Sequence, residues 1–267
     1  MVEPKCPGAV EHYVNLGACY NSGALKQIRQ EIVSCMEGYQ GCYKRAYRCL
    51  LAAAQIEEDV RTLLLTPAAE TRLIKRARGI LSREIKKNGG EAGQAIQRFL
   101  GGITHKGVLC QYGTVDALCK RVYDLSDSYG LAHVMFTDLA AGAMAAGWDV
   151  IVCPSPMFPD RIEHLLIPAL SLAFVSSTGS CHYEKHPHRR LRLDAMADQE
   201  VLHQSKARLR FSHKVAAALV EEAVSSLAEA KAMHDNLEAL YNPHVNFDQV
   251  YRTAGDLTEQ LLSRLPM

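Results

Sequence analysis

RVYDL (121–125), SDSYGLAH (126–133), VMFTDLAAGAMAAG (134–147) and WDVIVCP (148–154) follow one another without interruption. The first and last are short apolar runs with β-branched and aromatic residues. The third is a longer run of small and apolar residues. This order predicts strand, loop, helix and second strand, the unit from which parallel sheets are built. A loop leading from a strand into a helix is also where an anion meets free backbone N–H groups and the positive end of the helix dipole.

The most specific form of such a loop reads Gly-x4-Gly-Lys-Ser/Thr. Its backbone amides cradle phosphates, its lysine reaches the outer phosphates and its hydroxyl holds Mg²⁺. Aligned with it, this chain offers Asp127-Ser128-Tyr129-Gly130-Leu131-Ala132-His133-Val134 as candidate nucleotide-binding residues. The glycine positions hold Asp127 and Ala132, the lysine position His133 and the hydroxyl position Val134. Side chains at 127 and 132 are expected to strain a loop needing positive φ. His133 is mostly uncharged at neutral pH, and Val134 has no oxygen for Mg²⁺. Asp127 is expected to repel a phosphate by roughly 3 kcal/mol at about 5 Å and an effective dielectric near 20. A helix N-terminus returns only about 0.3–1 kcal/mol. The segments WDVIVCP and LSLAFVSS end without an acidic residue to hold Mg²⁺. Asp138, Asp160 and Glu163 are expected to be helix-surface or capping carboxylates. No catalytic residue and no metal ligand is assigned.

Outward from this segment, RFLGG (98–102) and VLCQY (108–112) read as short strands and GTVDALCKR (113–121) as a helical turn. HLLIPALSLAFVSS (164–177) reads as two apolar strands broken at Pro168. Together they predict a three-layer α/β core over residues 91–178 with a mostly parallel, covered sheet.

On either side the period changes to that of helices. From Leu25 to Leu63 apolar residues step by three and four, a heptad seam that predicts a long helix over 24–64. Asn21-Ser22-Gly23 supplies capping chemistry before it. Thr66 and Pro67 open a shorter helix, 67–87. A second seam, Leu209 to Leu240, precedes a short amphipathic helix at about 247–264. The seams are expected to pack on each other or on a partner, and they match at a shift of 176: Leu51-Ala52-x-Ala54 recurs as Leu227-Ala228-x-Ala230. The domain expectation is therefore a helical remnant of a first repeat (1–90), the core of a second (91–178) and its helical projection (179–267), with NGGEAG (88–93) as linker.

Composition narrows the function classes. A net charge of +1 gives no polyanion-binding or membrane-binding character, and no apolar run reaches the roughly 18–20 residues of a membrane span. No signal-like apolar segment follows the start, so the expected location is cytoplasmic. The nine cysteines include no C-x-x-C pair. Cys35, Cys42 and Cys49 recur every seven residues, as small buried hydrophobes would. Cys181-His182-Tyr183-Glu184-Lys185-His186-Pro187-His188 is the densest run of potential Zn²⁺ ligands, although its spacing is poor. Gly-x-Ser-x-Gly and His-Glu-x-x-His are absent.

Four stretches, EPKCPGAVEHYVNLG (3–17), FLGGITHKG (99–107), WDVIVCPSPMFPDRIEHLLIPALSLAFVSST (148–178) and AEAKAMHDNLEALY (228–241), carry a wider likeness. On these the chain resembles a bacterial family, chiefly of Firmicutes, with two tandem P-loop ATPase-like halves. The resemblance implies a P-loop NTPase-like core, ATP and Mg²⁺ as ligands, and long helical projections. It also implies a first glycine-rich loop upstream of Met1, hence a truncated chain. The substitutions at 127, 132, 133 and 134 count against both ligands. The expectation is thus a degenerate NTPase-like protein without efficient ATP hydrolysis, binding or scaffolding through its helices. The alternatives are a weak nucleotide binder using the 126–133 amides, and a metal-responsive protein using the 181–188 tract.

Overall fold

A computed structural model describes residue 6, residues 9–11 and residues 13–264, so part of the 3–17 stretch lies outside the described residues. The chain begins with helices α1 (Ser22–Gln27), α2 (Arg29–Leu64) and α3 (Pro67–Glu84). Strands β1 (Ala95–Gln97), β2 (Gly101–Thr104) and β3 (Gly107–Cys110) follow, then α4 (Tyr112–Leu118), β4 (Arg121–Ser126) and α5 (Ala132–Ala145). Next come β5 (Val150–Pro154), β6 (Ile162–Ile167), β7 (Leu172–Ser177) and β8 (Arg189–Arg192). Helices α6 (Gln199–Gln204), α7 (Lys206–Tyr241) and α8 (Phe247–Leu262) close the chain.

The fold is α/β with a mostly parallel sheet of six strands in the order β1-β5-β6-β7-β4-β8. All are parallel except β6, which pairs antiparallel with both β5 and β7. Loop length explains the exception, because a parallel return needs a crossover of about a dozen residues or more. Only residues 155–161 separate β5 from β6, and Ser155 N–H donates to Arg161 C=O across that loop (2.9 Å). A single 3-10 turn at Pro168–Leu170 separates β6 from β7, closed by Ser171 at φ 51°.

Period-two alternation divides the sheet between two cores. Tyr123 and Leu125 of β4 join α3 and α5 residues such as Leu73, Ile80, Phe136 and Leu139 on one face. Val122 joins Leu100, Val115, Cys119 and Tyr183 on the other. The expected strands at 98–102 and 108–112 are displaced: β2 and β3 form a separate hairpin, and the sheet strand preceding them is β1.

The expected long helix at 24–64 is interrupted at Ile28, leaving α1, whose N-cap Asn21 accepts the Ala24 N–H, and then α2. Thr66 caps α3 with Pro67 in its first turn, as the sequence indicates. Cys42, Ala46 and Ala53 of α2 and Ala216, Ala223 and Ala230 of α7 are buried along the seams. Cys35 Sγ donates to Met233 C=O (3.1 Å), and Arg45 Nε donates to Ser226 Oγ (2.7 Å). One helix's numbers rise as the other's fall, so the seams pair antiparallel within one chain.

The expected boundaries at 90 and 178 do not match the compact units. The described residues up to 41 and from 229 form one unit, and residues 42–228 form the other. The reason is apolar burial: α3 packs its length on α5, and the sheet unit takes in α2 from Cys42 onward together with all of α3. The 88–93 stretch is likewise no free linker. Asn88 N–H donates to Ala146 C=O (2.8 Å), Gly93 N–H to Met144 C=O (2.9 Å), and Trp148 Nε1 to Lys86 C=O (2.7 Å). Among the described residues no helix is long and apolar enough to cross a membrane.

A Cβ on Gly93 would lie 2.1 Å from the Trp148 carbonyl oxygen, a backbone atom that cannot rotate away, whereas one on Gly90 would meet nothing within 4 Å. Gly93→Ala is therefore expected to cost about 1–3 kcal/mol and Gly90→Ala close to nothing. Paired thermal or urea denaturation curves measure the difference.

Candidate functional site

β4 delivers its chain to the N-terminus of α5 through the 127–131 loop, and Asp127 decides what that terminus does. Asp127 is 3% exposed. Its Oδ1 accepts the N–H groups of Tyr129 (3.1 Å) and Leu131 (3.0 Å), and its Oδ2 accepts that of Ala132 (2.7 Å). The Ala132 amide is one that a helix start leaves unpaired, and those of Tyr129 and Leu131 belong to the loop that leads into it. Burial raises the Asp127 carboxyl pKa, the three amides pull it down, and Asp194 adds to the rise. Asp194 also holds the next residue, accepting from Ser128 N (3.0 Å) and Ser128 Oγ (2.7 Å).

Two expectations about the loop are corrected. Asp127 does not stand off as a repelling charge, because its carboxylate itself fills the cradle. The backbone is also unstrained at 127 and 132: Gly130 (φ 70°) alone in this loop takes a positive φ. Of the eight candidate residues, Asp127, Ser128, Tyr129, Gly130, Ala132 and His133 line a common cavity. Leu131 and Val134 turn away into the core beneath α5. His133 is half-buried; burial lowers its pKa, and Arg161 and Arg61 lower it further, so it is no substitute for a permanent cation.

The cavity has a volume of about 210 Å³, more than ten times the roughly 10–15 Å³ that one water needs on that measure. Its walls come from α2, the β2–β3 hairpin, the 127–133 loop, β6 with the loop before it, and α7. The charged groups are unevenly paired. Arg61 Nε and Nη2 and Arg161 Nη2 all donate to Glu58 (2.9, 2.5 and 2.5 Å). Chiefly through the Arg61 hydrogen bond, these contacts pull the Glu58 pKa down to about 2. Arg161 also lies over the Phe158 ring, 4.3 Å from its centroid. Glu57 and Glu163 line the same cavity, yet neither makes a hydrogen bond or ion pair among the described residues. Burial raises the Glu57 pKa. Burial first, then Asp127 and Glu57, push that of Glu163 to about 7.

Asp138 does lie on a helix surface, 3.5 Å from Arg78, and Asp160 is exposed. Glu163 departs from that expectation, because it sits in β6 and faces the cavity.

His164, next to it, is buried, and its Nδ1 accepts the Ser176 N–H (3.2 Å). The ring proton is thereby assigned to Nε2, which faces Cys110 Sγ at 3.4 Å. Burial lowers the His164 pKa to about 3 and raises that of Cys110 to about 12. With one ring nitrogen accepting and the other protonated, His164 has no lone pair for a metal or for the thiol proton. The Cys110–His164 contact is accordingly structural.

The 181–188 tract is tied down by other bonds. Tyr183 Oη donates to Asp116 (2.6 Å), Lys185 pairs with the same carboxylate (2.7 Å), and the His188 ring lies 5.5 Å from that of Tyr123. Among the described residues the only three ligating side chains that converge are His234, Asp235 and Glu238 on α7, outside the tract. Sequence reasoning missed Glu57, Glu163 and His164 as cavity residues. The one available signal was Glu163-His164 interrupting an otherwise apolar strand.

Two stability effects follow. Asp127→Ala leaves three amides without an acceptor and is expected to cost roughly 2–4 kcal/mol, read from chemical denaturation. For Glu163 the folded pKa is raised from 4.5 to about 7, so the folded state binds its proton more tightly. Its stabilising contribution is complete below about pH 4.5 and is lost as pH rises to about 7, by about 3 kcal/mol at most. Glu163→Gln should flatten stability across that window; an unchanged slope would show that the carboxyl titrates normally.

Searches of protein-family models, of curated proteins and of solved structures return no match to this chain.

Proposed function

We propose that this chain is a degenerate P-loop NTPase-like protein that does not hydrolyse ATP efficiently and acts by binding. The carrying observation is the Asp127 carboxylate inside the amide cradle at the start of α5. A phosphate entering that cradle must displace a group that is covalently tethered, already desolvated and already bonded to three donors. Three further features support the reading. Neither His133 nor Val134 replaces the lysine and the hydroxyl that phosphate and Mg²⁺ need. Both guanidinium groups at the cavity are engaged by Glu58. The unpaired carboxylates Glu57 and Glu163 oppose a polyanion. The cavity beside the loop, with its mixed apolar and polar walls, is the place for a ligand of another kind.

Calorimetric titration of the full chain with ATP and Mg²⁺ tests this. No saturable binding is expected up to about 1 mM, a level corresponding to only about −4 kcal/mol. Micromolar affinity would overturn the proposal. The combined variant Asp127→Gly, Ala132→Gly, His133→Lys, Val134→Ser should gain at least tenfold in ATP affinity. A folded variant without that gain would show that the loop is not a phosphate cradle.

A further inference from the structure

Two carboxylates in a partly enclosed space, with no partner supplied by the protein, set a chemical requirement for whatever enters. Glu57 comes from α2 and Glu163 from β6, so elements far apart in sequence bring them to one cavity. Both line the cavity, Glu57 adds to the rise in the Glu163 pKa, and neither has a hydrogen bond or ion pair among the described residues. The cations that could have done so, Arg61 and Arg161, are both drawn to Glu58, one residue from Glu57 on the same helix. Asp127 adds a third acidic group, spent on the amide cradle. Part of the wall is hydrocarbon, contributed by Ile56, Val60, Ile103, Met157, Phe158 and Ile162. The two unpartnered carboxylates oppose a phosphate, and the apolar part of the wall favours a ligand that carries hydrocarbon over a bare hydrated ion.

We propose that the cavity binds an organic cation, a primary-amine-type ligand whose ammonium pairs with Glu57 and Glu163 and whose aliphatic body lies along the apolar wall. The inference rests on the proposal above that this site serves binding and not nucleotide hydrolysis, and it adds the ligand class. An ammonium supplies the donors that both carboxylates lack. Its hydrocarbon chain gains from leaving water, roughly in proportion to the apolar area covered. Recognition thus needs both halves of the ligand, which separates it from general counter-ion attraction.

The test uses three six-carbon probes of matched length on the full chain: n-hexylammonium, 1-hexanol and hexanoate. Calorimetry at pH 8 keeps the amine charged, since alkylammonium groups titrate near about 10.4. Hexylammonium should bind saturably and at least tenfold more tightly than hexanol, and hexanoate should not bind. Glu57→Gln and Glu163→Gln should each weaken hexylammonium at least tenfold and leave hexanol unchanged. Removing a desolvated charge does not threaten folding, and circular dichroism confirms each variant. Equal affinity for the three probes, no binding of the amine, or amine affinity unchanged in both variants would overturn the assignment. An ATP–Mg²⁺ arm separates the two proposals. Micromolar ATP binding that persists in the glutamine variants defeats the parent reading, whereas lost amine selectivity with ATP still unbound defeats this one alone.

Discussion

The carboxylate of Asp127 and the three amides it closes form the joint on which the site depends. A strand ending at Ser126 and a helix beginning at Ala132 leave donors pointing into one small volume, and that volume must hold negative charge. Here the charge is supplied by the chain itself, one residue past the strand. The consequence is double: the turn from β4 to α5 is held by a side chain of its own, and three of its amides are already occupied. Asp194, bonded to both Ser128 N and Ser128 Oγ, fastens the outer side of the same turn.

The charges around the neighbouring cavity follow from how pairing is distributed. Glu58 binds two guanidinium groups and is held well below the usual carboxylate range, while Glu57 beside it binds none and is held above it. Successive residues on a helix point about 100° apart, so one faces the arginines and the next faces the cavity. Glu163 reaches the same cavity from β6, a strand that runs against its neighbours because of the short loops on either side of it. A sheet irregularity therefore has a chemical result: it brings an acid to the cavity and aims its neighbour His164 at Ser176 and Cys110.

The element types were legible because each rests on local periodicity or capping. The strand–loop–helix–strand unit, the caps at Asn21 and Thr66, and the two long seams all appear close to where the pattern places them. The loop was legible as a location but misjudged in its energetics. Asp127 read as a repelling charge because its neighbours in sequence say nothing about where its side chain turns. Glu163 read as a surface acid for a similar reason: two adjacent polar residues near a strand's start do not say which of them faces inward. The break at Ile28 and the in-sheet strand β1 were missed, the first being one residue wide and the second three residues long and exposed.

The sequence alone determined the α/β class, the position of the strand-to-helix turn and the lack of a lysine and a hydroxyl there, since these follow from residue identity and from patterns within one element. Only the tertiary structure decided that the turn is filled by its own carboxylate, that α3 belongs to the sheet unit, and that Glu57 and Glu163 share a cavity while Glu58 holds the arginines. Those outcomes depend on through-space distances between segments up to about a hundred residues apart, such as Glu58 and Arg161, and on the desolvation that closing the fold imposes. Neither quantity is encoded in any local window of the chain.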